Sequence, residues 1–281
     1  MPSFSDERLT VNGHALRALR GGEGPLILLL HGFAVTADMW RPNLPGLIEA
    51  GYSTLAIDLP GHGGSFRPAR PYTVADLAGV VEDLINSLNV QKLFVIGNSL
   101  GGTVASELAL SQPDKVEKLV LLDALGLDPD IPVFKRARYW TDLLIPSAHL
   151  IFFGPKRWNM RRLIRVVYHC PERLPPQTFV VTYPGGWLHN HWGRALVGWG
   201  VFWEMVTSAR RRAFARRRSA LRVPTYLMWG EDDHLLPVAH AHRAHALIPG
   251  SRLRIFPQCG HAPNVEYPEE FNREVARFFA G

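Results

Sequence analysis

The chain is poor in cysteine and has no long apolar run. Two cysteines in 281 residues, Cys170 and Cys259, are too few for the disulfide framework of a small secreted protein. The longest nearly uncharged apolar stretches, 142–154 and 195–203, are shorter than the roughly 20 residues that a membrane-spanning helix needs. The first ten residues lack the basic region and apolar core of a signal peptide. We therefore expect a cytoplasmic protein.

Negative charge is scarce in one part of the chain. Residues 131–220 contain sixteen Lys or Arg against three Asp or Glu, a local balance of +13, although the whole chain is +6. Six of the eight tryptophans lie in the same window. Its arginine run, at 209–222, predicts a solvated helix face, peripheral contact with an anionic membrane, or attraction of an acidic substrate. No nucleic-acid-binding motif accompanies the run, so no nucleic-acid partner is predicted.

On both sides of this window, short β-type runs alternate with helical patterns. Apolar runs such as PLILLL, KLFVIG and VPTYLMW are typical of strands buried on both faces. The alternation predicts a mostly parallel sheet with helices on both faces. Residues 126–219 lack β-type runs and are predicted to form a helical cap inserted after the sixth strand. The predicted core is therefore 1–125 together with 220–281.

Polar residues follow several predicted strands at the point where each strand ends. Ser99 follows KLFVIG, the stretch Gly230–Asp233 follows VPTYLMW, and His261 comes shortly after SRLRIF. His31 and the two residues after it follow PLILLL. Because functional groups gather at the carboxyl ends of parallel strands, we expect these side chains to meet.

Three of these segments resemble motifs of the α/β-hydrolase superfamily. GNSLGG (97–102) is similar to the nucleophile elbow G-x-S-x-G, in which a strained turn presents the serine above the sheet. WGEDDHLLP resembles the G-x-x-D-x-x-x-P segment that carries the acid, which indicates Asp233 rather than Asp232. GHAPNVE, which contains His261, resembles the segment before the last helix. The resemblance implies an α/β-hydrolase fold, with an eight-stranded sheet and a helical cap.

The resemblance also implies roles for individual residues. Ser99 would be the nucleophile, His261 its general base, and Asp233 the group that orients the imidazole. The backbone N–H groups of Phe33 and Leu100 would form the oxyanion hole. Trp140, Trp187 and Trp192 of the predicted cap are candidates for the substrate pocket.

Other histidines receive structural interpretations. His31 is predicted to organise the turn that carries Phe33, and His62 and Ser65 to shape the loop DLPGHGGS. In HAHRAH, His240 and His242 would point about 200° apart on a helix, which disfavours a shared metal. The sequence also lacks a phosphate-binding loop and zinc-ligand spacing, so neither a cofactor nor a metal is predicted.

The serine at the elbow limits the reaction. Related epoxide hydrolases and haloalkane dehalogenases have Asp there, so acyl transfer to water is the expected chemistry. The HGF and GHAP segments look similar to carboxylesterases and monoacylglycerol-type lipases, which predicts an ester substrate. Asn98 keeps open a C–C bond or thioester hydrolase acting on an acidic substrate bound by cap arginines, although the SGPG-type segment of C–C hydrolases is absent. A non-catalytic receptor or scaffold on the same fold is a third hypothesis.

Overall fold

The structure, a computed structural model, describes residues 3–127, 164–174, 191–206 and 208–281. Its sheet has the strand order β1-β2-β4-β3-β5-β6-β7-β8. The strands β1, β2 and β4 pair antiparallel, and all the other neighbours pair parallel. The eight strands are β1 Phe4–Val11, β2 His14–Gly21, β3 Leu26–Leu30, β4 Ser53–Ile57, β5 Leu93–Asn98, β6 Val116–Leu122, β7 Thr225–Gly230 and β8 Arg252–Phe256. The predicted eight-stranded, mostly parallel sheet is confirmed.

Helices cover both faces of the sheet. The described helices are α1 Leu44–Glu49, α2 Val74–Ser87, α3 Leu100–Ser111, α4 His191–Val206, α5 Ser208–Arg218, α6 Ala239–Leu247, α7 Pro263–Glu266 and α8 Pro268–Ala280, with a 3-10 turn at Ala37–Trp40. Along β3, Leu28 and Leu30 face the core formed with α2, α3 and α6, whereas Ile27 and Leu29 face the core formed with α1 and α8. This alternation is the two-residue period of a strand buried on both sides. Among the described residues, no helix is long and apolar enough to cross a membrane.

Local sequence signals explain where two elements begin. Asn12 and Gly13 both have positive φ, and Val11 pairs with His14 across the two-residue hairpin turn. Thr73 caps α2, because its side chain accepts a hydrogen bond from the Asp76 N–H while Asp76 accepts one from the Thr73 N–H. This reciprocal arrangement is a capping box, which satisfies two backbone donors that the helix itself leaves unpaired.

The helix α4 follows β6 in the chain and packs on the core through glycines. A Cβ atom on Gly200 would collide with the backbone oxygen of Tyr72, and a Cβ on Gly61 would lie 2.6 Å from the Gly193 oxygen. Glu204 near the end of α4 accepts a hydrogen bond of 2.8 Å from the Val74 N–H at the start of α2. The helix therefore approaches the core at backbone-contact distance. The exact bounds predicted for the cap stay a prediction.

One end of the arginine run is anchored inside the protein. Arg218 is buried and lies 2.8 Å from Glu107 of α3, and Arg217 lies 2.7 Å from the other oxygen of the same carboxylate. Burial lowers the pKa of Arg218 to about 10, although the Glu107 carboxylate opposes that shift. These two arginines thus attach α5 to α3 and are not simply part of a solvated face.

Candidate active site

Ser99 occupies the sharp turn between β5 and α3. Its backbone has φ +51° and ψ −115°, a conformation that a residue with a Cβ adopts only under strain. The flanking glycines make the turn possible, since a Cβ on Gly97 would collide with the Gly101 oxygen and one on Gly101 with the Leu30 oxygen. The Ser99 side chain stays partly exposed at the carboxyl edge of the sheet.

Asp233 and His261 meet beside this turn. His261 Nδ1 lies 2.7 Å from Asp233 Oδ2, and both side chains are buried. The other oxygen of Asp233 accepts hydrogen bonds from the N–H groups of Leu235 (2.7 Å) and Leu236 (2.9 Å). Because the Asp233 carboxylate accepts from two backbone N–H groups and its second oxygen faces His261 Nδ1, the contact selects the His261 tautomer with a proton on Nδ1.

The neighbouring aspartate points elsewhere. Asp232 Oδ2 lies 2.9 Å from His169 Nδ1, and both side chains are about one-third exposed. Of the two adjacent carboxylates, Asp233 is the one that contacts His261. The sequence prediction ranked Asp233 ahead of Asp232, and the role of Asp233 as the catalytic acid stays a prediction.

The serine turn and the His261 loop are linked through Asn98. Its buried Nδ2 donates to the His261 carbonyl oxygen at 3.2 Å. Within the described residues, no hydrogen bond joins Ser99 Oγ to His261. In the absence of substrate such contacts are often long, and they shorten when the reacting group is bound.

The two predicted oxyanion donors lie on segments that touch each other. A Cβ on Gly32 would lie 2.8 Å from Asn98 Oδ1 and 3.3 Å from Ser99 Cβ, so the turn that carries Phe33 rests against the serine turn. Leu100 is the first residue of α3. In the described part of the chain, neither the Phe33 N–H nor the Leu100 N–H donates a hydrogen bond. Both N–H groups are therefore available to donate hydrogen bonds to an oxyanion.

His31 supports the turn that carries Phe33. The His31 ring is fully buried, with Nδ1 2.7 Å from the Gly32 oxygen and Nε2 accepting the Leu59 N–H at 2.9 Å. Burial lowers the pKa of His31, which keeps the ring neutral. Its predicted role as an organiser of the turn stays a prediction, which these contacts support. Ser65 shapes the next loop, since its hydroxyl accepts the Arg17 N–H.

A buried arginine behind this turn escaped the sequence analysis. The Arg17 guanidinium contacts three carboxylates, those of Asp6, Asp38 and Asp58. Asp58 in turn accepts the N–H of Ala37 at 2.7 Å, which holds the segment after Phe33. Hydrogen bonds and charge from these carboxylates raise the pKa of Arg17 despite its burial. Nothing in the local pattern of β2 distinguishes Arg17 from an exposed arginine.

The helix α4 lies over the Phe33 side of the site. A Cβ on Gly198 would be 2.9 Å from the Phe33 ring, which also meets the His62 ring edge-on at 5.6 Å between centroids. Of the predicted pocket residues, Trp140 and Trp187 lie outside the described residues. Trp192 lies in the first turn of α4 and is 56% exposed. Its place in a substrate pocket stays a prediction.

Residues 164–174 of the insertion are bonded directly to the His261 loop. The His261 N–H donates to the Val167 oxygen at 2.6 Å. Glu266 joins the same two segments, because it accepts the Gly260 N–H at 2.7 Å and the His169 N–H at 2.9 Å. These contacts pair segments about one hundred residues apart, and the sequence analysis did not predict them.

A third acidic group lies behind Asp233. Asp123 lies directly after β6. One of its carboxylate oxygens, one carboxylate oxygen of Asp233 and one ring nitrogen of His261 all lie within 4.8 Å of one another. The sequence analysis did not single out Asp123, although its position directly after the run LVLL is the same signal that marked the other strand ends.

In HAHRAH, His240 is buried and His242 is exposed, as expected for opposite helix faces.

One known family matches most of the chain. Residues 25–268 match the family model described as alpha/beta hydrolase fold. The chain belongs to this family. The predicted superfamily is therefore confirmed, and Ser99, Asp233 and His261 of this hydrolase all lie within the matched range.

Known relatives of this hydrolase differ in their reactions. It is 31% identical to an uncharacterised protein of Mycobacterium tuberculosis, over 96% of this chain and 79% of the relative. It is 28% identical to a 2-hydroxy-6-oxononadienedioate/2-hydroxy-6-oxononatrienedioate hydrolase of Pseudomonas putida, over 92% of this chain and 88% of that protein. A crystal structure of a bacterial membrane phospholipase A superposes with a TM-score of 0.75 at 26% identity, covering 99% of this chain and 86% of the other.

Proposed function

We propose that this hydrolase cleaves carboxylic esters through an acyl-enzyme intermediate on Ser99. The observation that carries the proposal is the buried 2.7 Å contact between His261 Nδ1 and Asp233 Oδ2 beside a serine in left-handed backbone. A serine hydroxyl is a weak nucleophile unless an adjacent base removes its proton. The likeness to a phospholipase structure supports an ester substrate.

In the proposed reaction, Ser99 Oγ attacks the ester carbonyl while His261 Nε2 takes the hydroxyl proton. Asp233 holds the proton on Nδ1 and stabilises the imidazolium. The oxyanion of the tetrahedral intermediate accepts hydrogen bonds from the Phe33 and Leu100 N–H groups, each worth about 3 kcal/mol in the transition state. His261 then protonates the departing alcohol, and water activated by the same imidazole hydrolyses the acyl-enzyme.

Covalent labelling with a fluorophosphonate tests the nucleophile. The native protein is expected to be labelled, and Ser99→Ala and His261→Ala are expected to lose the label. Ser111→Ala is the matched control, because Ser111 ends the helix that Ser99 precedes and is exposed. Absence of labelling in well-folded native protein would contradict the enzyme proposal and favour the non-catalytic hypothesis.

C–C bond hydrolysis is the second candidate, and Asn98 favours it. This residue is buried directly before the nucleophile and is bonded to the His261 loop. The Pseudomonas putida relative is a hydrolase of a dienedioate, so the substrate would be an acidic diketone bound by arginines of the insertion; a thioester of an acid would fit the same site. Assay of p-nitrophenyl esters of short and medium acyl chains beside a vinylogous diketone separates the candidates. Turnover of the diketone without ester turnover would refute the ester proposal.

Peripheral contact of the insertion with an anionic membrane is a separate proposal. On α5, Arg212 and Arg216 are exposed, and on α4 Trp199 and Trp203 are about half exposed. Basic and aromatic side chains together bind anionic lipid surfaces. Sedimentation with phosphatidylglycerol vesicles, but not with phosphatidylcholine vesicles, is the expected result. Equal recovery in the supernatant with both would refute membrane contact.

A further inference from the structure

Asp123 and Asp233 form a buried pair of carboxyl groups at the ends of neighbouring strands. Asp123 follows β6 and Asp233 follows β7, and both side chains are buried. Oxygens of both lie within 4.8 Å of each other and of a His261 ring nitrogen. Two buried carboxylates at this distance cannot both ionise without a large repulsion.

The backbone donors are divided unequally between the two groups. Asp233 receives the N–H groups of Leu235 and Leu236 and the His261 Nδ1–H. Asp123 Oδ1 receives one N–H, that of Gly230, at 2.9 Å. Since hydrogen bonds from donors favour the ionised form, the negative charge belongs on Asp233 and the shared proton belongs on Asp123.

The second oxygen of Asp123 is the atom available to carry that proton. Asp123 Oδ2 is buried and receives no hydrogen bond from the described residues. A buried carboxylate oxygen without a donor is strongly unfavourable, whereas a protonated oxygen facing Asp233 becomes a donor itself. Burial and the Asp233 carboxylate raise the pKa of Asp123 well above its ordinary value, in the same direction as this geometry. Glu266, on α7, adds negative charge on the same side.

We propose that Asp123 is a protonated carboxylic acid that donates a hydrogen bond to Asp233 and thereby positions it against His261. The hydrogen bond supplies the fourth donor to Asp233 and fixes its rotamer. It also spreads the negative charge of Asp233, so that the imidazolium of the proposed reaction keeps its Nδ1 proton and remains able to protonate the leaving group from Nε2. The effect on turnover rests on the proposed function, whereas the protonation state does not.

Infrared difference spectroscopy at neutral pH tests the protonation state without turnover. The native protein minus Asp123→Asn is expected to show the carbonyl stretch of one protonated carboxylic acid. The matched control, Asp232→Asn, removes the carboxylate adjacent to Asp233 and is expected to leave that band in place. Absence of the band would overturn the proposal. A band absent until EDTA is added would also overturn it, since a bound cation would then hold the pair.

The pH profile of kcat/KM tests the positioning role. Asp123→Ala removes the donor, concentrates charge on Asp233 and favours the imidazolium, so the acid limb moves about half a unit to one unit to higher pH. Turnover falls about 10- to 100-fold, mainly in kcat. Asp123→Asn, whose amide still donates to Asp233 and accepts from Gly230, is expected to restore most of the rate and return the limb to its native position.

If Asp123 is ionised instead, the acid limb of the kcat/KM profile is expected to move in the opposite direction. Loss of a negative charge beside His261 would disfavour the imidazolium, and the acid limb would move to lower pH in both the Ala and Asn variants. That result would overturn the proposal. If Asp123→Ala does not fold, Asp123→Asn alone decides, since a limb moved to lower pH contradicts the proposal and an unmoved limb supports it. If the infrared band is present but esters and diketones are not hydrolysed, the proposed function fails and the protonated pair stands.

Discussion

The loops at the carboxyl edge of the sheet and the helices α4 and α5 of the insertion are held in different ways. The loops that carry Ser99 and Asp233 are held by backbone groups, through the close contacts of the glycines beside Ser99 and the N–H groups that donate to Asp233. The two helices are held by a glycine contact with Tyr72 and by a buried ion pair between Arg218 and Glu107. Changes in the loops should therefore act on chemistry, and changes at the helix contacts should act on stability.

Both regions contain a buried arginine, and the surroundings give the two opposite properties. Arg17, behind the loops, contacts three carboxylates and has a raised pKa. Arg218, the last residue of α5, shares one carboxylate with Arg217, and burial lowers its pKa to about 10. Burial disfavours a guanidinium ion at both positions, and hydrogen bonds and charge from the carboxylates outweigh it at Arg17 but not at Arg218. The helix α5 is thus attached to α3 through Arg218, the less stabilised of the two guanidinium ions.

The largest effect is expected from Asp233→Asn. The amide leaves the geometry in place but no longer stabilises the imidazolium, so kcat should fall roughly 10³- to 10⁴-fold while the melting temperature changes little. Asp232→Asn is the matched control and should keep most of the native rate, because Asp232 contacts His169 and not His261. Steady-state hydrolysis of a p-nitrophenyl ester measures both. Equal losses in the two variants would show that Asp233 has no special role.

Arg218→Met comes next and acts on stability. It leaves the buried Glu107 carboxylate with Arg217 as its ion-pair partner, so the free energy of unfolding should fall by about 3 kcal/mol. The matched change Arg217→Met removes a partner that is 59% exposed and should lower it by less than about 1 kcal/mol. Urea unfolding followed by tryptophan fluorescence gives both values. Similar losses in the two variants would mean that burial of Arg218 does not matter.

Gly200→Ala tests the glycine contact of α4. The added methyl group collides with the Tyr72 oxygen and should destabilise the protein by about 1–3 kcal/mol, which exceeds the gain in helix propensity. Gly79→Ala in α2 is the matched control, because a Cβ there meets nothing within 4 Å. That variant should be more stable by about 0.5–1 kcal/mol. Thermal unfolding distinguishes the two, and stabilisation by both changes would disprove a close approach of α4.

The smallest effect concerns the acid limit of stability. Burial alone would raise the pKa of Asp38, but hydrogen bonds from Arg17 and Arg41 outweigh it and lower the pKa to about 2. Because the folded value lies below the unfolded one of 3.8, the contribution is present above about pH 4 and is lost as the pH falls through 2. The free energy of unfolding of the native protein should therefore fall by about 1–2 kcal/mol across this pH range. Asp38→Asn should lack this contribution above about pH 4 and should not show that fall. Urea unfolding at pH 5, 3 and 2 measures it, and parallel pH profiles would contradict it.

Much of the site was predictable because its requirements are local. Ser99 needs a strand, a left-handed turn and two glycines within a few residues, and each of these is visible in GNSLGG. The acid and the histidine each follow a strand at the same edge, so a parallel sheet brings them together without further information. The bond that is cleaved was not predictable, since pocket shape depends on the insertion.

The sequence alone thus determined the sheet, because strand periodicity acts over a few neighbouring residues. Its resemblance to hydrolase motifs, rather than periodicity, indicated the strained serine and the pairing of Asp233 with His261. Only the tertiary structure decided that Asp123 faces Asp233, that Arg218 reaches Glu107, and that Gly200 meets Tyr72. Each of these contacts joins segments about one hundred residues apart. Arg218 and Gly200 carry no local signal of their partners, since burial and the balance of nearby charges exist only after the chain has folded. Asp123 carries the strand-end signal, which does not specify Asp233.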